Sequence, residues 1–193
     1  GEDELSRGRS NLVYRCFQLP FRESGRTAPG VSITCENGIP LARGLGSSSA
    51  AVVAGLLAGN EICGRPLGLT DLLKLATRVE GHPDNVAAAL LGGCQIIVTD
   101  GLRLVTSAVP LPAELRVVLF VPDVPMPTRQ ARTVLPSKVT RQDAVYNIGR
   151  VALLVQALAT GSLENLSRST QDRLHQPYRQ SLFPSMKLIF SAA

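Results

Sequence analysis

The chain has 193 residues, of which 45% are hydrophobic and 18% charged, a composition that is typical of a globular protein and excludes a disordered chain. No apolar stretch reaches the ~18 residues of a membrane span, and no secretory leader pattern opens the chain, so we expect a cytoplasmic protein without membrane attachment. The formal net charge of +5, with no Trp, three Tyr and five Phe to stack on bases, favours a small anionic ligand over nucleic acid.

Hydrophobic spacing predicts helices and strands in the first half of the chain. Ser10 and Thr70 are predicted helix caps, and Asp100-Gly101 is a strong hairpin signal. The predicted elements are a helix over 10–23, a strand over 31–36, helices over 48–63, 71–80 and 84–91, and hairpin strands over 94–99 and 102–107. The four cysteines lack a C-x-x-C pair, so we expect core thiols and not zinc ligands or disulfides.

The second half of the chain begins after two prolines. Pro110 and Pro112 mark a predicted boundary, which divides the chain into domains over 1–112 and 113–193. The predicted elements beyond it are a buried strand over 115–121, a short helix over 128–134, a longer helix from Thr140, and helices over 162–173 and from 183 onward.

A loop rich in glycine and serine, PLARGLGSSSAA over 40–51, stands directly before a helix-prone run of Ala, Val and Leu. Gly44 and Gly46 can adopt positive φ and let the backbone approach a ligand closely. The helix that begins near Ser48 offers free N–H groups and the positive end of its dipole. These features predict a phosphate site built from backbone amides, for which no lysine is needed.

Other interpretations of this loop can be compared with that one. A P-loop needs a lysine after the glycines, and a dinucleotide fingerprint needs glycine where Ser49 stands, so both fail. A nucleophile elbow centred on Ser48 would indicate a serine hydrolase, with His82 or His175 as its base. A glycine turn with a serine cap is the purely structural alternative.

A second polar stretch, VEGHPDNVAAALLGG over 79–93, precedes another apolar helix. In a structural interpretation, Asp84 or Asn85 caps that helix and Glu80 is solvated. In a functional interpretation, Glu80 binds a divalent cation while His82 and Asn85 face a polar substrate. Mg²⁺ prefers one or two carboxylates together with phosphate oxygens, so Glu80 with a serine hydroxyl suits it.

Taken together, these stretches resemble the homoserine kinases of the GHMP kinase family. The loop is similar to the family pattern P-x-x-x-G-L-G-S-S-A-A, except at Ser49, where alanine is usual. Further similar segments follow in the expected order: NLVYR over 11–15, EGHPDNVAAALLGG over 80–93, PTRQARTVLP over 127–136 and QPYRQSLFP over 176–184. The resemblance implies an α+β fold with a ribosomal-protein-like N-terminal α/β domain and a ferredoxin-like C-terminal domain, both incomplete here.

The resemblance also implies roles for matching residues. The implied ATP-binding residues are Asn11, Pro40, Arg43, Gly44, Leu45, Gly46, Ser47, Ser48 and Ser49. Ser48 and Glu80 would hold Mg²⁺. The implied substrate-binding residues are His82, Asn85, Thr128, Arg132 and Arg179, with the two arginines on a carboxylate. Asn85 and Arg132 are also the implied catalytic residues.

The implied reaction transfers the γ-phosphoryl group of ATP to the hydroxyl of L-homoserine, on the route to threonine. Related kinases such as mevalonate kinase carry an aspartate where Asn85 stands. Because asparagine cannot accept a proton, we expect catalysis by positioning and charge neutralisation. Another GHMP small-molecule kinase is the nearest alternative, and the resemblance is compatible with a homodimer.

Relatives in that family begin with a segment similar to P-A-[ST]-x-A-N-L-G-x-G-F-D and carry a glycine-rich S-G-S-G-P-like loop near their end. Neither pattern occurs in this sequence. We therefore expect the chain to be the middle portion of such a kinase, which makes a catalytically incomplete fragment a further alternative. Unpaired strand edges predict poor solubility of the isolated chain.

Overall fold

The computed structural model describes residues 5–121 and 128–192, and for 128–130 and 192 only the backbone. It contains helices and one β-hairpin, which agrees with the predicted α+β class. The main elements are α1 (Leu12–Phe17), α2 (Leu19–Glu23), α3 (Ser47–Ile62), α4 (Leu69–Glu80), α5 (Asp84–Leu91), β1 (Cys94–Asp100), β2 (Arg103–Val109), α6 (Thr128–Thr133), α7 (Arg141–Thr160), α8 (Leu166–Ser169), α9 (Gln176–Arg179) and α10 (Met186–Ala192).

The chain divides into two compact units, the first ending at Ala108 and the second beginning at Val109. The predicted boundary lies slightly later, after residue 112. The assignment of the two halves to the complete domains of the resembled family stays a prediction.

Helix α3 is the centre of the first unit. Its side chains Val52 and Leu56 are 0% and 1% exposed and join α4 and α5 in one apolar core. Ile97 and Leu104 of the hairpin pack against the same core. The hairpin therefore covers one side of the helices that carry the polar loop.

Backbone contact joins α1 to α3. A Cβ atom built on Gly55 would lie 2.4 Å from the Val13 carbonyl oxygen, and one on Gly59 would lie 2.1 Å from the Phe17 carbonyl oxygen. Because only glycine leaves room for such an approach, these two positions, four residues apart on one face of α3, set the spacing of the helices.

The first helix differs from its prediction in two ways. Asn11, not Ser10, caps α1, since its Oδ1 accepts a hydrogen bond from Val13 N at 2.9 Å. In addition, the single helix predicted over 10–23 is observed as two helices, α1 and α2, which meet at Gln18. Pro20 lies in the first turn of α2, where its missing N–H leaves no helical hydrogen bond unmade.

Two other helix predictions need correction. Gly68 is the N-cap of α4, and Thr70 lies inside the helix. The helix predicted over 162–173 is shorter: a 3-10 turn over Leu163–Asn165 leads into α8, which ends at Ser169. By contrast, α7 begins where it was predicted to begin: Thr140 is its N-cap and accepts from Asp143 N at 3.0 Å.

The strands predicted over 31–36 and 115–121 are not formed. Within the described residues, β1 pairs only with β2, and neither segment has a neighbouring strand. Val117 and Phe120, expected to be buried, are 76% and 69% exposed. An alternating or apolar pattern marks strand propensity, but a strand also needs a partner for its backbone hydrogen bonds.

Among the described residues, no helix is both long enough and apolar enough to cross a membrane.

The cysteines differ in burial, which predicts different reactivity. Cys16 is 1% exposed, and burial raises the pKa of its thiol to about 11, with Glu80 adding to the effect and Arg15 opposing it. We expect iodoacetamide at about pH 8 to alkylate the exposed Cys35 while Cys16 stays unmodified. Peptide mass spectrometry before and after denaturation would check this, and equal labelling of both in the native protein would contradict it.

Candidate functional site

The glycine-serine loop ends in a left-handed turn that opens α3. Gly44 and Gly46 have φ of +75° and +77°, and Gly46 is the N-cap of the helix. No side chain caps α3, and a Cβ built on either glycine would meet no atom within 4 Å among the described residues. The first-turn N–H groups therefore lack a side-chain acceptor within the described residues, which leaves them available to an anion.

Asn37 holds the segment that leads into this loop, and the sequence did not lead us to predict it. Its Oδ1 accepts from Ile39 N at 3.1 Å, while its Nδ2 donates to Ile39 O at 3.0 Å and to Ser47 Oγ at 3.4 Å. The signal available in the sequence was the Asn37-Gly38 pair, since asparagine side chains commonly bond to the backbone two residues on.

Glu80, the last residue of α4, lies against the first turn of α3. Its Oε1 accepts hydrogen bonds from Ser48 Oγ at 2.6 Å and from Ser49 Oγ at 3.2 Å. Ser49 is 1% exposed, so its hydroxyl is committed to this carboxylate. The structure thus brings the predicted pair Ser48 and Glu80 together beside the free end of the helix.

The second polar stretch forms the turn between α4 and α5. Nδ1 of the largely buried His82 lies 2.7 Å from Asp84 Oδ1, an ion pair when the imidazole is protonated. The same Asp84 oxygen accepts from Asn85 N at 2.7 Å, and Asn85 is exposed. Asp84 therefore organises the turn, while Asn85 extends into solvent at the start of α5.

The remaining predicted ATP-binding residues differ in their exposure and hydrogen bonding. Pro40 is exposed and Leu45 half-buried. Nη1 of Arg43 is buried and has no hydrogen-bond acceptor within the described part of the chain. The side-chain amide of Asn11 is used at both ends, capping α1 and donating to Ser6 O at 2.7 Å.

In the second unit, the predicted substrate residues lie on two short helices. Arg132 is exposed on α6, and the side chain of Thr128, at the start of that helix, lies outside the described residues. Arg179 ends α9 and is half-buried, and its Nε has no hydrogen-bond acceptor in the described residues.

Asp172 precedes α9 and was also missed by the sequence reasoning. Burial raises the pKa of this carboxyl, but hydrogen bonds from Asn147 and from the backbone N–H groups of Gln176, Leu174 and His175 outweigh burial and lower the pKa to about 2. The carboxylate is therefore charged at neutral pH and holds the start of the helix.

The described residues contain no cluster of three or more His, Cys, Asp or Glu that could hold a metal ion by itself. A Mg²⁺ ion shared with phosphate oxygens needs fewer protein ligands. Glu80, beside an open loop with two positive-φ glycines, supplies the carboxylate oxygens such an ion prefers. The donor set therefore fits a magnesium–phosphate group.

Comparison with known proteins matches residues 11–93 to the GHMP kinases N terminal domain. The chain is 46% identical over 193 residues to a homoserine kinase of Moorella thermoacetica, covering all of this chain and 65% of that protein. It is 46% identical over 183 residues to one of Gloeobacter violaceus, covering 95% of this chain and 61% of the relative. The chain thus spans less than two thirds of the length of these relatives.

Solved structures agree with these matches. A homoserine kinase of Cytophaga hutchinsonii has a TM-score of 0.85 at 30% identity and covers 100% of this chain and 63% of its own. A putative homoserine kinase of Listeria monocytogenes shares the fold, with a TM-score of 0.67 at 23% identity, covering 97% of this chain and 61% of its own. The loop at the start of α3, the domain match over residues 11–93 and these relatives lead to one conclusion: residues 11–93 belong to the GHMP kinases N terminal domain family.

Proposed function

We propose that the protein is a cytoplasmic homoserine kinase that transfers the γ-phosphoryl group of ATP to the side-chain hydroxyl of L-homoserine, giving O-phospho-L-homoserine for threonine biosynthesis. The observation that carries the proposal is the contact of Glu80 with Ser48 and Ser49 at the uncapped start of α3. A metal-bound polyphosphate needs a carboxylate for its metal and free N–H groups for its oxygens, and both are found at the start of α3.

Backbone N–H groups of the loop bind the ATP phosphates in this proposal. The positive φ of Gly44 and Gly46 turns successive peptide groups, and α3 adds its dipole. Neither contribution uses a cationic side chain, which agrees with the absence of lysine from this loop.

Ser48 and Glu80 would hold Mg²⁺, which when bound neutralises charge on the phosphate oxygens. Ser49 stays among the proposed ATP-binding residues, and its side chain has a further role. Its buried hydroxyl donates to Glu80, so we assign it to holding that carboxylate in place.

From the resemblance alone, we propose that L-homoserine is bound by His82, Asn85, Thr128, Arg132 and Arg179. A guanidinium pairs both oxygens of a carboxylate, which is the function we assign to Arg132 and Arg179. Asn85 can donate and accept hydrogen bonds but cannot take the hydroxyl proton. We therefore propose that the residues align hydroxyl and phosphate and stabilise charge, without a strong general base.

The serine hydrolase alternative finds less support in the geometry. Its base should be an imidazole within hydrogen-bond reach of the nucleophile. Ser48 Oγ instead donates to a carboxylate, and His82 Nδ1 lies beside Asp84. A fluorophosphonate probe should accordingly leave Ser48 unlabelled.

The decisive experiment measures ADP release by the protein at its natural length, with Mg²⁺, ATP and L-homoserine. We expect ADP release to require L-homoserine and phosphohomoserine to be detected by mass spectrometry. L-serine, which is one methylene shorter, is the matched control and should react far more slowly. ATP consumption that depends on another alcohol, such as mevalonate, and not on L-homoserine would contradict the proposal.

A further inference from the structure

We propose that Asp172 and Asn147 act as positioning residues that hold Arg179 for binding the substrate carboxylate. This inference rests on the proposed function, in which Arg179 contacts L-homoserine. Neither Asp172 nor Asn147 belongs to the motifs from which the substrate-binding residues were predicted.

Asp172 accepts hydrogen bonds through both carboxylate oxygens. Oδ1 accepts from Asn147 Nδ2 at 2.5 Å and from Leu174 N at 3.0 Å, while Oδ2 accepts from His175 N at 2.6 Å and from Gln176 N at 2.5 Å. Bonds from consecutive N–H groups fix the turn that opens a helix, because they satisfy donors that the helix leaves free.

That turn determines where Arg179 lies. Gln176 is the first residue of α9 and Arg179 the last, and Arg179 N donates to His175 O at 3.1 Å. The helix is a single turn, too short to be stable by itself. Its direction therefore depends on the carboxylate that binds its first N–H groups.

Asn147 anchors the turn to a long helix. Its Nδ2 donates to Asp172, and its Oδ1 accepts from Arg173 N at 3.0 Å, so both ends of the amide are used. Asn147 lies within α7, which runs for 20 residues. One side chain of a rigid element thus holds two consecutive residues of the connection to α9.

Arg179 and Arg150 each have a buried Nε without a hydrogen-bond acceptor in the described residues, but the other two nitrogens of Arg150 donate to Tyr146 O and Gln171 Oε1, each at 3.4 Å. The guanidinium carbons of Arg150 and Arg173 lie 3.2 and 3.9 Å from the ring centre of Tyr146. Arg173 also pairs with Asp143 at 3.4 Å. In the described part of the chain, the buried Nε of Arg179 has no acceptor. A planar anion such as a carboxylate would satisfy it.

The test compares Asp172→Ala with Asp172→Asn. Alanine removes every acceptor, whereas asparagine keeps one oxygen in a side chain of the same shape. We expect the KM for L-homoserine to rise by at least about tenfold with alanine and by less with asparagine. The KM for ATP should stay within about twofold in both variants. A residue that merely supports folding would not separate the two substrates in this way.

Asp143→Asn is the matched control, since Asp143 lies on α7, as Asn147 does, and its carboxylate pairs with the side chain of Arg173 but binds none of the backbone N–H groups that Asp172 binds. We expect its kinetics to resemble those of the wild type. A double-mutant cycle with Arg179→Ala tests the connection directly. If Asp172 acts through Arg179, then Asp172→Ala should raise the KM little further in the Arg179→Ala background.

Each outcome decides between the alternatives. Additive effects in the cycle, or equal changes for both substrates, would overturn the positioning role. If Asp172→Ala fails to fold, the test uses Asp172→Asn together with hydrogen exchange at the backbone amides of residues 174–176. Unchanged protection of these amides with an unchanged KM for L-homoserine would overturn the inference. A wild-type protein without homoserine-dependent ADP release would instead refute the proposed function, which is a distinguishable result.

Discussion

Replacing Glu80 with glutamine is expected to lower kcat/KM for homoserine phosphorylation by at least about 100-fold. Glutamine has the same shape and keeps an oxygen that Ser48 and Ser49 can bond, so the contact between α3 and α4 should persist. It lacks the negative charge that a divalent cation requires. The loss should therefore fall on metal-dependent catalysis and not on folding.

The measurement is a magnesium titration of ADP release, with a thermal melt of the same samples. Glu61→Gln is the control, because Glu61 also lies at a helix end but is exposed and pairs with Arg65 at 2.6 Å. We expect that variant to keep its activity. Full activity in Glu80→Gln, or an equal loss in both variants, would show that Glu80 does not serve the metal.

Replacing Gly59 with alanine is expected to destabilise the first unit by about 3 kcal/mol. The added methyl group would lie 2.1 Å from the Phe17 carbonyl oxygen and 2.9 Å from its carbonyl carbon. Backbone atoms cannot rotate away as a flexible side chain can, so α1 must separate from α3. Separation would expose Cys16 and Phe17, which are 1% and 2% exposed.

Thermal unfolding followed by circular dichroism should show a midpoint lowered by about 10 °C. Gly149→Ala is the matched control, since Gly149 lies in α7 and an added Cβ would meet no described atom within 4 Å. Alanine is the better helix former by about 1 kcal/mol, so this variant should be at least as stable as the wild type. Equal behaviour of the two variants would refute the close contact of α1 and α3.

Local signals in the sequence accounted for the helices that carry the site. The helix predicted over 48–63 is observed as Ser47–Ile62, because glycines at both ends and an apolar interior mark it without help from distant residues. The helix predicted over 84–91 has the observed bounds. Motifs on such elements could therefore be located before the fold was known.

Contacts between distant residues could not be predicted from local pattern. Ser48 and Glu80 are 32 positions apart; the ligand preference of Mg²⁺ suggested Glu80 with an unspecified serine, and only the resemblance named Ser48. Asn147 and Asp172 are separated by 25 positions, and no spacing rule connects an asparagine in a helix with an aspartate in a loop. The same reason explains the strands over 31–36 and 115–121, since their formation depends on a partner elsewhere in the chain.

The direct backbone contact of α1 with α3 has a consequence for ligand binding. Helices that touch through glycines cannot slide or roll past each other as helices separated by long side chains can. In the proposed function, Asn11 at the start of α1 and the amides at the start of α3 would then be held at a constant distance before ATP binds. If ATP bridges these groups as proposed, little affinity should be lost to ordering of the protein, because the contact of α1 with α3 is formed without the ligand.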